Sequence, residues 1–214
     1  MKHRQTMEDF VLEQFSLLYP APRSELNFDD PYQLAVAVIL SAQCTDRKVN
    51  ETTPSLFSRW PGFPDLARAR IASVEKVIRQ VNYYRTKARN IIEMARQVVD
   101  RFRGILPSTF EELMSLPGIG RKSAGVILGE LRKEHTLPVD THVFRVSRRL
   151  GLAGGDTPER VEMELRSRFA PARWYALHHG LILHGRRVCK ARHPLCSDCP
   201  LLRRCPFGKE RMRK

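Results

Sequence analysis

Between Tyr84 and Phe102 the apolar residues Ala88, Ile91, Ile92, Ala95, Val98, Val99 and Phe102 recur at spacings of one, three and four. That is the helical period, and no stretch of the chain sets a convincing two-residue alternation against it. The start signals agree. Asp30 before Pro31 puts a capping carboxylate ahead of a proline suited to the first helical position. The helix they open, Tyr32 to about Gln43, is largely apolar and is expected to be buried. Ser108 and Glu111 read as a capping box, and Thr157-Pro158 and Pro171 open two further helices. Residues 7–19 bring Phe10, Val11, Phe15 and Leu18 to one helical face. Short Gly and Pro punctuation separates these segments, with no internal repeat. The expected fold class is all-α.

Lys and Arg number 37 against 23 acidic residues, a net charge of +14. Such an excess favours a polyanion through counterion release, and nucleic acid is the first choice. Ribosomal and membrane-surface proteins share the signature. No apolar run approaches the roughly 20 residues that cross a bilayer. Residues 1–15 carry charges through their apolar pattern, unlike a secretory leader. A cytoplasmic protein is expected, with nothing to suggest an obligate oligomer.

The cysteines are unevenly placed. Cys44 ends an apolar helix and reads as a small hydrophobe. Cys189, Cys196, Cys199 and Cys205 crowd into 17 residues, inside a terminal stretch (185–214) holding ten Lys or Arg against two acids. In the cytosol such a group reads as a metal or cluster site rather than as disulfides. Zinc ribbons usually present two C-x2-C pairs, and this chain has one, Cys196 and Cys199, which disfavours zinc.

The most informative stretch is Leu116-Pro117-Gly118-Ile119-Gly120-Arg121-Lys122-Ser123-Ala124. A helix ends, two glycines flank one apolar residue, and a second helix starts near Arg121. Glycines there permit positive φ and bring backbone N–H groups to a helix N-terminus, where they hold phosphate without any side chain. The plainer alternative is a tight helix–turn–helix corner that only packs. Lys122 falls in the first turn of the second helix, where the helix dipole disfavours a cation and eases formation of the neutral amine that Schiff-base chemistry needs. Eighteen residues on, Asp140 precedes an apolar-periodic helix (Val143, Val146, Leu150). It reads as an N-cap, or as a carboxylate kept ionised by helix amides and opposed to a sugar that develops positive charge.

LPGIGRKSAGVI followed by VDTHVFRVSRRLGL resembles the endonuclease III family of helix-hairpin-helix DNA glycosylases. SELNFDDPYQLAVAVILSAQCTD is similar to that family's N-terminal barrel helix with its SAQ-T-D turn, and LILHGRRVC to its entry into the cluster loop. The spacing C-x6-C-x2-C-x5-C matches the family's [4Fe–4S] signature, and the likeness covers nearly the whole chain.

The resemblance implies two α-helical domains with a DNA-binding cleft between them. A six-helix barrel with the hairpin would span 24–133, and residues 1–23 with 134–214 would form the domain of the iron–sulfur cluster. It implies a bifunctional glycosylase and AP lyase of base excision repair, acting on oxidised pyrimidines or abasic sites in double-stranded DNA, as a monomer. Lys122 would be the nucleophile and Asp140 the catalytic carboxylate. Cys189, Cys196, Cys199 and Cys205 would ligate the [4Fe–4S] cluster. Gln43 would fill the gap left by the flipped base. Leu116, Gly118, Ile119, Gly120 and Arg121 of the hairpin, and Lys190, Arg192 and His193 of the cluster loop, would meet DNA. Mismatch adenine glycosylases share hairpin, aspartate and cluster but lack the lysine, so Lys122 separates the two readings. One departure stands out. Where the family commonly has Gly-Leu-Tyr, this chain has Asn82-Tyr83-Tyr84, which puts Tyr83 at the wedge between bases. A related enzyme for an alkylated or mismatched base, or a non-catalytic DNA-binding paralogue, are the alternatives.

Overall fold

The computed structural model describes residues 5–131 and 135–213, so the expected boundary at 133/134 lies outside the described residues. Among these the secondary structure is entirely helical: the all-α expectation holds. The chain divides into two compact units, Ser24–Glu134 and Met1–Arg23 with His135–Lys214.

The Ser24–Glu134 unit is built around α2 (Pro31–Ser41), which is buried from Tyr32 to Leu40 apart from Gln33. Its start is set as expected: the Asp30 carboxylate accepts from the Gln33 amide at 2.8 Å, and Pro31 begins the helix. With no polar face, α2 packs against α3 (Asp46–Arg59), α6 (Tyr84–Phe102) and α8 (Arg121–Glu130). Leu34, Ile39, Leu40, Leu56, Ile91, Met94, Ile127 and Leu128 are fully buried there. Each such side chain contributes roughly 1.5–3 kcal/mol by leaving water. The short helices α4 (Phe63–Ala67), α5 (Ile71–Ile78) and α7 (Phe110–Met114) complete the unit.

The cap of α7 corrects the sequence reading by one residue. Thr109, not Ser108, is the N-cap: its hydroxyl accepts from the Glu112 amide and donates to the Glu112 carboxylate at 2.8 Å. Ser108–Glu111 and Thr109–Glu112 both satisfy the pattern. Packing selects the second, which buries Leu113 and leaves Met114 at the surface.

The other unit joins α1 (Met7–Leu18) to α9 (Thr141–Arg149), α10 (Pro158–Arg168), α11 (Trp174–Arg187) and α12 (Pro206–Arg213). Phe10, Val11 and Phe15 of α1 are buried as expected. Leu18 is not. It is the last residue of the helix and 37% exposed, while Tyr19, one turn after Phe15, takes the buried place and meets His184 Nδ1 at 3.3 Å. α1 packs on α11 at Gly180, where an added Cβ would stand 2.5 Å from the Phe15 ring. Arg204 fastens the residues just before α1 by donating to the carbonyls of Gln5 and Thr6 at 2.9 and 2.8 Å. Pro171 opens a single 3-10 turn (Pro171–Arg173) leading into α11 rather than a helix of its own.

Candidate active site

Gly118 has φ of +83°, and a Cβ there would meet Asn90 at 3.0 Å and Ile39 at 3.2 Å, so the turn requires glycine. Gly120 is different. It is the extended N-cap of α8, with nothing within 4 Å of where a Cβ would stand. The side chains of Leu116 and Ile119 are buried in the core, and the Ile119 amide closes the turn on the Leu116 carbonyl at 3.2 Å. Neither residue reaches the surface; Gly118 and Gly120 are the exposed positions of the turn. Lys122 is exposed in the first turn of α8, and Arg121 beside it lies 5.3 Å over the Phe110 ring.

Asp140 is the N-cap of α9, and its Oδ1 accepts from the His142 and Val143 amides, both at 2.8 Å. Two amides at the start of the helix thus hold this oxygen in place. Burial lowers the pKa of the neighbouring His142, against the pull of Asp140, and its Nδ1 lies 3.1 Å from Arg145 Nη2.

Gln43 lies just past α2 in the left-handed region at φ of +52°, and Tyr83, a residue 65% exposed, caps α6 at φ of +57°. A side chain missed by sequence reading supports this region. Lys87, only 5% exposed, donates to the carbonyls of Leu40 at 2.7 Å and Ala42 at 2.6 Å. Its ammonium thus caps the C-terminus of α2, where the helix dipole welcomes a cation. Burial lowers its pKa, with Cys44 working the other way. Cys44 itself is half-buried against the core. Position 87 falls in the buried stripe of α6, one turn before Ile91, and that was the available signal. Lys87→Met is expected to cost about 2–3 kcal/mol, because two carbonyls lose their charged donor. An unchanged urea midpoint would contradict it.

Cys189, Cys196, Cys199 and Cys205 all line one pocket, with no disulfide among them. Among the described residues no three His, Cys, Asp or Glu side chains are grouped closely enough to hold a single metal ion. The four thiols share one lining and are the residues that could hold a metal centre. Burial pushes the Cys199 thiol up to about 11 and raises that of Cys205. The Gly208 amide donates to Cys205 Sγ at 3.3 Å and Arg149 to Cys189 Sγ at 3.5 Å. Two arginines of α9 hold the loop: Arg149 donates to the carbonyls of Lys190 and Ala191, and Arg145 to those of Cys189 and Gly185. The helix that begins at Asp140 therefore ends on the cysteine loop. Lys190, Arg192 and His193 are exposed on it.

The HhH-GPD superfamily of base excision DNA repair proteins matches residues 36–171. Endonuclease III of Rickettsia conorii is 42% identical over 198 residues, covering 92% of this chain and 94% of its own. That of Bacillus subtilis is 37% identical over 207 residues, 96% and 94% of the two chains. A solved structure of a trapped endonuclease III–DNA covalent intermediate superposes with a TM-score of 0.91 at 38% identity, covering 98% of this chain and 100% of the other. A non-covalent endonuclease III–DNA complex gives 0.92 at 39% identity, covering 99% and 100%. The chain belongs to the HhH-GPD superfamily of base excision DNA repair proteins, and within it to the endonuclease III family.

Proposed function

We propose that this protein is a bifunctional DNA glycosylase and AP lyase of base excision repair that removes oxidised pyrimidines through Lys122. The observation that carries this reading is Lys122 itself, exposed in the first turn of α8 directly behind the glycine hairpin. A family relative trapped covalently on DNA supports the same chemistry.

The hairpin amides grip phosphate, and the lesion nucleotide turns out of the stack. Gln43 fills the gap and Tyr83 wedges beside it. The Lys122 amine attacks C1′ of the deoxyribose, the C1′–N bond breaks, and the base leaves with its electron pair and gains a proton. The bound nitrogen gives up a proton, the C1′–O4′ bond opens with O4′ taking one up, and the resulting iminium loses a C2′ proton, so that β-elimination expels the 3′ phosphate and nicks the strand. Asp140 supplies negative charge to the cationic sugar of the transition state. Cys189, Cys196, Cys199 and Cys205 would hold a [4Fe–4S] cluster, which when bound staples the loop and sets Lys190, Arg192 and His193 toward phosphates. Tyr83 governs which lesions and opposite bases are accepted. Among the described residues no helix is long and apolar enough to cross a membrane. We place the enzyme's work in the cytoplasm, on the nucleoid, where reduced thiols and DNA occur together.

The test is incubation with a thymine-glycol duplex and borohydride. A covalent adduct and a nick 3′ to the lesion are expected, with neither on undamaged duplex. Absence of an adduct on oxidised pyrimidines overturns the reading. Asp140→Asn separates the carboxylate's two roles, because asparagine caps a helix as well as aspartate does. Excision is expected to slow about 10²–10³-fold while the melting temperature stays put. Unchanged excision would leave Asp140 a cap alone.

A further inference from the structure

The loop carrying Tyr83 and the loop carrying Gln43 are tied together by a side chain that the excision chemistry does not use. Asn82 Nδ2 donates to the Gln43 carbonyl at 2.7 Å across 39 positions of sequence. Asn82 precedes Tyr83 in the chain, so this one bond fixes the start of the Tyr83 turn against the backbone of Gln43. Lys87 completes the tie, since it sits on the first turn of α6 behind Tyr83 while its ammonium holds the carbonyls of Leu40 and Ala42 just ahead of Gln43. Both anchored residues occupy the left-handed region, which non-glycine residues hold only when their surroundings enforce it.

We propose, resting on the glycosylase reading above, that Asn82 is a positioning residue that locks Gln43 and Tyr83 into a single two-pronged unit. Gap filling and base wedging then occur together. Neither prong finds its place on the duplex alone, because a shift of either drags the other through the amide–carbonyl bond. Lys87 fixes the base of the unit and Asn82 its tip. Asn82 is exposed, so its role is separable from folding.

The experiment measures single-turnover excision on a thymine-glycol duplex, with 2-aminopurine fluorescence beside the lesion reporting base displacement. Asn82→Ala is expected to slow both about fivefold, with affinity for undamaged duplex and melting temperature unchanged. Asn82→Asp keeps the shape, loses the donor, and is expected to show the same loss. Gln43→Ala and Tyr83→Ala are then combined in both backgrounds. With Asn82 present, losing either prong is expected to cost nearly as much as losing both, as for residues that act as a unit. With Asn82→Ala, the two effects are expected to multiply. Multiplying effects in the native background, or unchanged rates in Asn82→Ala, overturn the tie. Borohydride trapping of the native protein tests the glycosylase reading separately. A protein that traps normally while Asn82 is silent loses only this inference, and one that never traps loses both.

Discussion

Lys122→Ala is expected to abolish the borohydride-trapped adduct and to slow strand nicking roughly ten-thousandfold or more, the scale on which removing a covalent nucleophile acts. Folding should not suffer. Lys122 is exposed in the first turn of α8, where alanine is the better helix former and the helix dipole disfavours a cation. Duplex affinity is expected to fall only a few-fold, with the salt slope reduced by about one if the ammonium also meets phosphate. The variant thus divides binding from chemistry, which the combined activity of the native protein does not. An adduct that survives the substitution would assign the Schiff base to another amine, and Lys122 would become a surface charge. A variant that still excises the base without nicking would make Lys122 responsible for the lyase step alone.

Cys199→Ser is the second large effect. The native protein is expected to be brown, with a broad visible absorption band and iron and sulfide in equal amounts. The variant should be colourless and melt about 10 °C lower or more, since a bound structural metal centre contributes directly to folding. The physical reason lies in the loop. Apart from short turns, residues 189–205 carry no regular secondary structure, and arginines of α9 reaching its carbonyls help to fasten it. A native protein that is colourless and contains zinc would refute the cluster. An unchanged melting temperature in Cys199→Ser would refute its structural role.

The local fold was legible wherever a side chain announces its own partner. Asp30, Thr157 and the stripe from Ala88 to Val98 are such cases, since capping and apolar burial depend on residue type. The one-residue slip at Thr109 came from two adjacent hydroxyls, each with a glutamate three residues on, between which only packing chooses. The site was harder to read. Lys122 and Asp140 carry distinctive chemistry, but Lys87, Arg145 and Arg149 act on backbone carbonyls, and every residue has one. A sequence therefore gives no sign of which carbonyl a buried cation will meet. The left-handed turns at Gln43 and Tyr83 were invisible for a related reason: neither residue is glycine, and the support comes from distant positions.

The hairpin turns the side chains of Leu116 and Ile119 inward. If the hairpin grips DNA as proposed, a grip made of amides would recognise no letters, and each stretch of a chromosome would look alike to it. Patrol along intact DNA would then proceed over an almost level landscape, without pauses at favoured words. Discrimination would be deferred to the instant when a weakly stacked nucleotide yields.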